Sequence, residues 1–368
     1  MQQKIFKGNK VEYYCAALAL QGVSNFFKAN LFEYFKYDIE AFWNCTKSDM
    51  EDFCKKFPDV RVSRTFFSKK KEINPALECE NAHKKGYKIL TFDDDLYPDL
   101  LREIPDFPLA LYYKGKLSDV NFKKTLAVVG SRKASTNAKE SLASIISQMQ
   151  NTDVTIVSGL AWGIDAKAHE CAIKNNLPTI AVIGSGLDFE YPSSNKHLYR
   201  EILDGAGVIF SEYSPGTPPV SYNFPARNRI VTGLSYGTLV AEAALKSGAM
   251  ISANLTLEQN RELMCIPGLI SNPNCEGIYH LIKNGASVIT SAEDIFECLN
   301  WNFEQNDKKT ELSDTEKNVF DTIQIEPQNF DSLSSKLNIS DGELMVCLTG
   351  MELKGLIKQI NTKYYILN

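Results

Sequence analysis

The sequence predicts an α/β fold: a parallel sheet covered on both faces by helices, with a small helical domain before it and a winged-helix-like domain after it. Three observations predict this. Residues 124–290 repeat an apolar strand, a glycine-containing turn and a helix. Residues 1–57 place apolar side chains at helical spacing. Residues 313–368 read as three helices followed by a hairpin. Continuous apolar strands alternating with helices bury both faces of a parallel sheet. Ligands in such sheets bind beyond the carboxyl ends of the strands.

Composition sets the frame. The 368 residues allow about two or three domains, at roughly 100–200 residues each. With 44% hydrophobic and 23% charged residues, wholesale disorder, a collagen-like chain and a coiled-coil rod are excluded. No run of 18 apolar residues is present, and the start MQQKIFKGNKVEYY lacks an apolar core of signal-peptide type. A cytoplasmic protein with no membrane partner is expected. The nine cysteines are odd in number and form no C-x-x-C pair, which argues against a disulfide framework or a zinc ribbon. The four histidines are far apart in sequence, so no metal site is expected.

In the N-terminal domain, residues 1–72, Tyr14, Leu18, Val23, Phe27, Leu31, Phe32 and Phe35 suggest short helices packed on aromatics. The run Lys69–Lys71 reads as a solvated face. Residues 86–118 form an adaptor, with strands at Lys88–Phe92 and Leu109–Tyr113 and turns at Pro98, Pro105 and Pro108. The core, residues 119–300, places strands at Leu126–Val129, Thr155–Val157, Ile180–Ile183, Val208–Phe210, Gly237–Val240, Leu263–Ile266 and Ser287–Thr290. Residues 301–312 are polar and read as a linker. In the C-terminal domain, residues 313–368, Ser313 and Glu316 make a capping box. Helices follow at about 314–323, 331–337 and 341–353, and Lys358–Leu367 forms a hairpin turning at Asn361–Thr362.

Charge is informative by region. Residues 1–72 hold 13 basic and 9 acidic residues, residues 73–311 hold 22 and 28, and residues 312–368 hold 5 and 8. The formal net charge is −5. A protein that coats nucleic acid by bulk charge is basic. Any anion site here must be local and preorganised.

Five stretches could build such a site. Val128-Val129-Gly130-Ser131-Arg132, then Ser135, ends a strand and opens a helix, where backbone N–H groups and an arginine fork favour a phosphate. Ser158-Gly159-Leu160-Ala161-Trp162-Gly163-Ile164-Asp165 follows a strand; its small residues permit close backbone approach. Asp165 and His169 are four apart, but no G-x-S-x-G elbow supports a triad. Gly184-Ser185-Gly186 starts like a dinucleotide fingerprint. Phe189 stands where its third glycine would be, and Lys196 lies beyond the turn. Asn223-Phe224-Pro225-Ala226-Arg227-Asn228-Arg229 combines aromatic and arginine side chains suited to single-stranded nucleic acid. Gly237-Thr238 with Glu242 is related to the G-G-x-G-T-x-x-E pattern of nucleotide-processing hydrolases, but Gly233 lacks its twin and Glu242 comes one residue late.

In series, these stretches resemble the bacterial DNA-processing protein A family, also called Smf. The matching runs include VVGSRKAS, IVSGLAWGIDAKAH, TIAVIGSGLDFEYPSSNKHLY, FPARNRIVTGLS and CIPGLISNPNCEGIYHLIKNGA, in family order across about residues 88–290. The resemblance implies a Rossmann-like core that binds single-stranded DNA and loads the RecA recombinase during natural transformation. It implies no catalysed reaction, no catalytic residue and no cofactor. Carried onto this chain, the DNA-binding residues are Gly130, Ser131, Arg132, Ser158, Gly159, Gly184, Gly186, Lys196, Asn223, Phe224, Arg227, Asn228 and Arg229. A homodimer would form through Ile270, Ile278, Leu281 and Ile282.

The family's N-terminal helices resemble a SAM or helix-hairpin-helix domain, yet Leu20–Ser24 lacks the glycine pair of the latter's turn. The third C-terminal helix starts acidic, and residues 312–368 contain no arginine. A phosphate backbone would repel it. That domain is expected to contact protein or guard the core. Two other readings are a nucleotide N-glycosidic hydrolase with Glu242 as acid–base residue, and a purely protein-binding module.

Overall fold

The computed structural model describes residues 3–205, 207–302, 313–353, 356–360 and 363–366. All but the first two residues of the expected linker, and the hairpin turn at Asn361–Thr362, lie outside the described residues. The chain forms two compact units, divided after Phe303.

In the first unit a nine-stranded sheet runs in the order β1-β2-β6-β5-β4-β3-β7-β8-β9 among the described residues. The strands are β1 (Lys88–Thr91), β2 (Ala110–Gly115), β3 (Thr125–Val129), β4 (Thr155–Ser158), β5 (Thr179–Ile183), β6 (Gly207–Ser211), β7 (Gly237–Val240), β8 (Glu262–Cys265) and β9 (Ser287–Val288). The adaptor strands β1 and β2 pair antiparallel, and β2 joins β6 antiparallel. Every other pairing is parallel. Strands β3 to β6 are buried along their whole length, as continuous apolar runs require when both faces are covered.

One face packs under the helices Thr136–Ser147, Ile164–Lys174 and Ala292–Cys298 through Leu142, Ile145, Ile146, Ala168 and Ile295. The other face packs under Lys196–Asp204, Asn223–Gly233 and Gly248–Glu258 and is continuous with the N-terminal core. From β3 the chain steps outward to β6, then returns to place β7 on the opposite side of β3. The loops after β3 and β7 therefore diverge, which opens a crevice at the sheet's switch point.

The N-terminal helices are Gln3–Ala19, Asn25–Tyr34, Ile39–Asn44, Lys47–Lys56, Phe66–Glu72 and Pro75–Lys84. Phe27, Phe32, Phe42, Phe53 and Phe66 meet mostly edge to face in their core. Each buried ring contributes about 1.5–3 kcal/mol. Thr46 and Asp49 form a full capping box. The lysine run differs from the expected solvated face. Lys70 donates to the Cys45 carbonyl and lies over the Trp43, Phe66 and Phe67 rings, and Lys69 donates to the Gln21 carbonyl. These stems cover aromatic surface while their ammonium groups stabilise carbonyls.

The N-terminal helices are part of the first unit rather than a separate body. Asn25 donates to Glu212 and Gln21 to Thr217, both on the segment after β6. Lys28 is buried beside Glu212 and Arg229; burial lowers its pKa, against the pull of Glu212.

The second unit has helices Asp314–Ile325, Phe330–Leu337 and Asp341–Leu353, with a three-stranded sheet in the order β10 (Gln328–Asn329), β12 (Lys363–Ile366), β11 (Ile357–Ile360). Ser313 and Glu316 cap each other as expected. Val319, Ile323, Leu333, Leu344, Leu348, Met351 and Ile357 form its core.

Candidate nucleic-acid interface

β3 ends at Val129, and Gly130-Ser131-Arg132-Lys133 turns outward at the switch point. The turn is held by backbone bonds. Ser131 N–H donates to the Glu242 carbonyl at 2.8 Å, and the Ser131 carbonyl accepts from Ile164 N–H at 3.2 Å. Lys133 N–H donates to Ser131 Oγ at 3.1 Å. Arg132 and Lys133 are left exposed at the lip of the crevice.

The crevice has a volume of about 500 Å³. Arg132, Lys133, Arg227 and Asn228 line one part of it, and Ser247, Gly248, Ser252 and Asn274 line another. A small adjoining hollow is lined by Trp162, Tyr191, Gly184 and Phe224. Phe224 stacks on Tyr191 with centroids 5.8 Å apart, and the Arg132 guanidinium stands 5.5 Å from the Phe224 centroid.

Arg227 is the floor cation, only 3% exposed. Its Nη1 donates to the carbonyls of Gly159 and Val182, and its Nε to Asn228 Oδ1 at 3.3 Å. Burial lowers its pKa to about 10, opposed by the Asp165 carboxylate, so it remains a cation at neutral pH. Asp165 is buried beside it. Desolvation raises its pKa, with Arg227 pulling the other way. Gly159 fits between the two because it has no side chain. A Cβ there would lie 2.5 Å from Arg227 Nη2 and 2.6 Å from Asp165 Oδ2.

The helix after the first motif differs from the expected phosphate cradle. Ser135 Oγ caps it at Ala138 N–H, and Ser135 N–H itself donates to Glu242. Those two amides are already satisfied and the Glu242 carboxylate stands beside them, so the exposed cations of this turn are Arg132 and Lys133. The helix Gly248–Glu258, by contrast, starts at the crevice with no side-chain cap. Only the serine–glycine pair Ser247-Gly248 in the sequence could have signalled that helix start.

The other expected residues divide by where they face. Gly130, Ser131, Gly159, Gly184, Phe224, Arg227 and Asn228 line the crevice or its hollow, together with Arg132. Ser158 is a correction: it is fully buried and its Oγ donates to the Val128 carbonyl. Asn223 is buried and pins the Gly184 carbonyl at 3.0 Å. Gly186 is sunk against Asp188 and Ser214 and lines neither cavity. Arg229 points inward, 2.7 Å from both Glu212 oxygens and 3.3 Å from Asp106. Burial would lower its pKa, but the Glu212 and Asp106 carboxylates outweigh that and raise it. Lys196 is exposed away from the lining, 3.5 Å from Glu190.

Of the expected dimer residues, Ile278 and Leu281 are buried in their own core, so they are not free for a second copy. Ile282 is partly buried, and Ile270 is 89% exposed beside exposed Leu269.

Glu242 is fully buried. Its carboxylate accepts from Ser135 N–H, Ser135 Oγ at 2.5 Å and Asn272 Nδ2 at 3.2 Å. It staples the loop after β3 to the loop after β8, and it does not line the crevice. His169 is also structural. Its Nδ1 is 2.7 Å from Thr179 Oγ1, and burial lowers its pKa to about 3. Among the described residues no cluster of His, Cys, Asp or Glu could hold a metal ion, and no helix is long and apolar enough to cross a membrane.

A doubly wound sheet whose switch-point crevice carries exposed cations and an aromatic wall defines an α/β core of Rossmann-like topology. The comparisons with known proteins narrow that class. Residues 88–300 match the model of DNA recombination-mediator protein A, and residues 304–361 match the DprA winged helix domain. The chain belongs to the DNA recombination-mediator protein A family, known as DprA or Smf.

It is 43% identical over 232 residues to DNA processing protein DprA of Streptococcus pneumoniae, covering 60% of this chain and 81% of that protein. The crystal structure of the S. pneumoniae protein aligns with a TM-score of 0.67 at 35% identity, covering 80% of this chain and 99% of that one. A structure of DNA processing protein A from Helicobacter pylori, described for its single-stranded DNA binding mode, aligns with a TM-score of 0.52 at 27% identity. It covers 59% of this chain and 98% of that one.

Proposed function

We propose that this chain binds single-stranded DNA in the switch-point crevice and acts as a recombination mediator that loads RecA onto incoming DNA during natural transformation. The observation that carries the reading is the exposed Arg132–Lys133 lip beside the Phe224–Tyr191 stack. Cations can hold phosphates there while rings meet bases, and neither contact reads sequence. Arg227 holds the floor and adds positive potential. The binding reported for the H. pylori protein supports the same use of this fold. The chain works without a cofactor or catalytic residue in this reading, in the cytoplasm and as a homodimer near Ile270.

Fluorescence anisotropy of a labelled oligo-dT tests the binding. Wild type should bind and weaken with added salt, and Arg132→Ala should bind at least ~10-fold more weakly. Equal binding by both would remove the crevice from the reading. RecA loading is tested by RecA-dependent ATP hydrolysis on DNA already covered by a single-strand-binding protein; no stimulation by this chain would refute it. The hydrolase reading has less support, because the Glu242 oxygens it would need are engaged by Ser135 and Asn272.

A further inference from the structure

We propose that Trp162 is the open base-stacking surface of the interface, taking one nucleobase of the bound strand beside the Phe224 wall. The inference rests on the single-stranded DNA reading and specifies which ring does the stacking.

Phe224, the aromatic residue the sequence singles out, is already engaged. It stacks on Tyr191 and has the Arg132 guanidinium 5.5 Å from its centroid. Trp162 stands at the outer end of the same aromatic row, 6.2 Å from Tyr191 and tilted by 56°. It is 44% exposed, in contrast to the half-buried Phe224.

The indole is exposed but anchored. Its Nε1–H donates to Ser194 Oγ at 2.8 Å, and Ser194 donates to Asn195 Oδ1 at 3.0 Å. Asn195 Nδ2 in turn donates to the carbonyls of Leu160 and Ala161, the two residues before Trp162. One polar relay thus holds both the ring edge and the backbone that carries it. On the far side, Gly163 has φ 79°, and a Cβ there would lie 2.2 Å from the Ser131 carbonyl. The Trp162 loop is therefore seated directly against the turn that presents Arg132.

A ring anchored by its edge loses little rotamer freedom when a base stacks on its face. Its position against the Arg132 turn puts the π-face and the phosphate-holding cation within one strand's reach. Every base offers a π-face, so this surface suits a sequence-tolerant binder.

The chain supplies its own reporter. Of its three tryptophans, Trp43 is buried and Trp301 is partly buried against Tyr236 and Phe296, so a stacked base should quench Trp162 alone. The experiment titrates wild type, Trp162→Phe and Trp162→Ala with oligo-dT and with an abasic oligomer of equal length. Tryptophan emission and anisotropy are read on the same samples. The expected result has three parts. Wild-type quenching saturates with the anisotropy signal and is absent with the abasic oligomer. Trp162→Phe binds within ~3-fold of wild type without quenching of the remaining tryptophans. Trp162→Ala binds at least ~5-fold more weakly. Unchanged affinity in Trp162→Ala, or quenching that persists in Trp162→Phe, overturns the assignment while leaving the DNA reading in place. Failure of wild type to shift the anisotropy overturns the DNA reading itself, and the assignment with it.

Discussion

The Rossmann-like core and the C-terminal unit treat charge in opposite ways. The core buries Asp165, Glu212, Arg227, Arg229 and Glu242, along with His169. The C-terminal unit builds its core from aliphatic and sulfur side chains, with Gln328 as its buried polar residue among those described. Burying a charge is costly unless it is paired or hydrogen-bonded. The core satisfies that demand with carbonyls, hydroxyls and counter-ions, while Arg132 and Lys133 stand exposed at the crevice with no ion pair among the described residues. The C-terminal unit has the architecture of a winged helix. Its third helix, however, opens on Asp341 and Glu343 and exposes Met345 and Val346. Two architectures that can each serve nucleic acid thus place their charge differently, and fold alone does not say which of them uses it.

The largest expected effect comes from breaking the buried charges. Arg229→Ala strips the buried Glu212 of its guanidinium partner, leaving it the Asn25 amide and the neighbouring Lys28, and should cost about 3 kcal/mol of stability. Chemical denaturation of the first unit would show a lower midpoint. An unchanged midpoint would mean that the Glu212–Arg229 pair does not hold the helix Asn223–Gly233 to the segment after β6. Arg132→Ala should leave the denaturation midpoint where it is and remove roughly 1.5–3 kcal/mol of binding. Together the two variants separate the arginine that builds the site from the one that uses it.

Acid should also distinguish the units. The His169 pKa is near 3 in the folded core, below its unfolded value of about 6.5. The unfolded state therefore binds more protons between those values. The stability His169 confers is complete above pH 6.5 and falls by about 1.4 kcal/mol per pH unit as the pH drops toward 3. His169→Asn should flatten that part of the core's profile and leave the C-terminal unit's transition unchanged. Separate melts at pH 7 and pH 5 would check it.

Much of the sheet was legible because its strands are continuous apolar runs bounded by turns. Expected and observed strands agree within about two residues. The helix Pro75–Lys84 was not foreseen: its buried positions are the small Cys79 and Ala82, too slight to mark a periodic face. The site was legible as motifs but not as orientations. Arg227 and Arg229 are two apart on one helix, about 200° around its axis, so one reaches the crevice while the other meets Glu212. Their spelling in FPARNR carries no phase. Ile278 and Leu281 mislead for a related reason. Apolar residues three apart look the same whether the helix face covers its own sheet or a second copy.

The smallest expected effect is the sharpest test of the comparison. Removing residues 304–368 should change oligo-dT affinity by less than ~3-fold, since that stretch contributes 7 basic against 11 acidic residues and no arginine. Loss of an acidic unit would, if anything, strengthen binding slightly at low salt and leave it unchanged at high salt, where charges farther apart than a Debye length are screened. A large loss of affinity would mean that the C-terminal unit touches DNA through side chains other than arginine. The contrast between the two units would then lie in geometry rather than in charge. A gain that disappears with salt would instead show the unit's acidic charge opposing DNA binding.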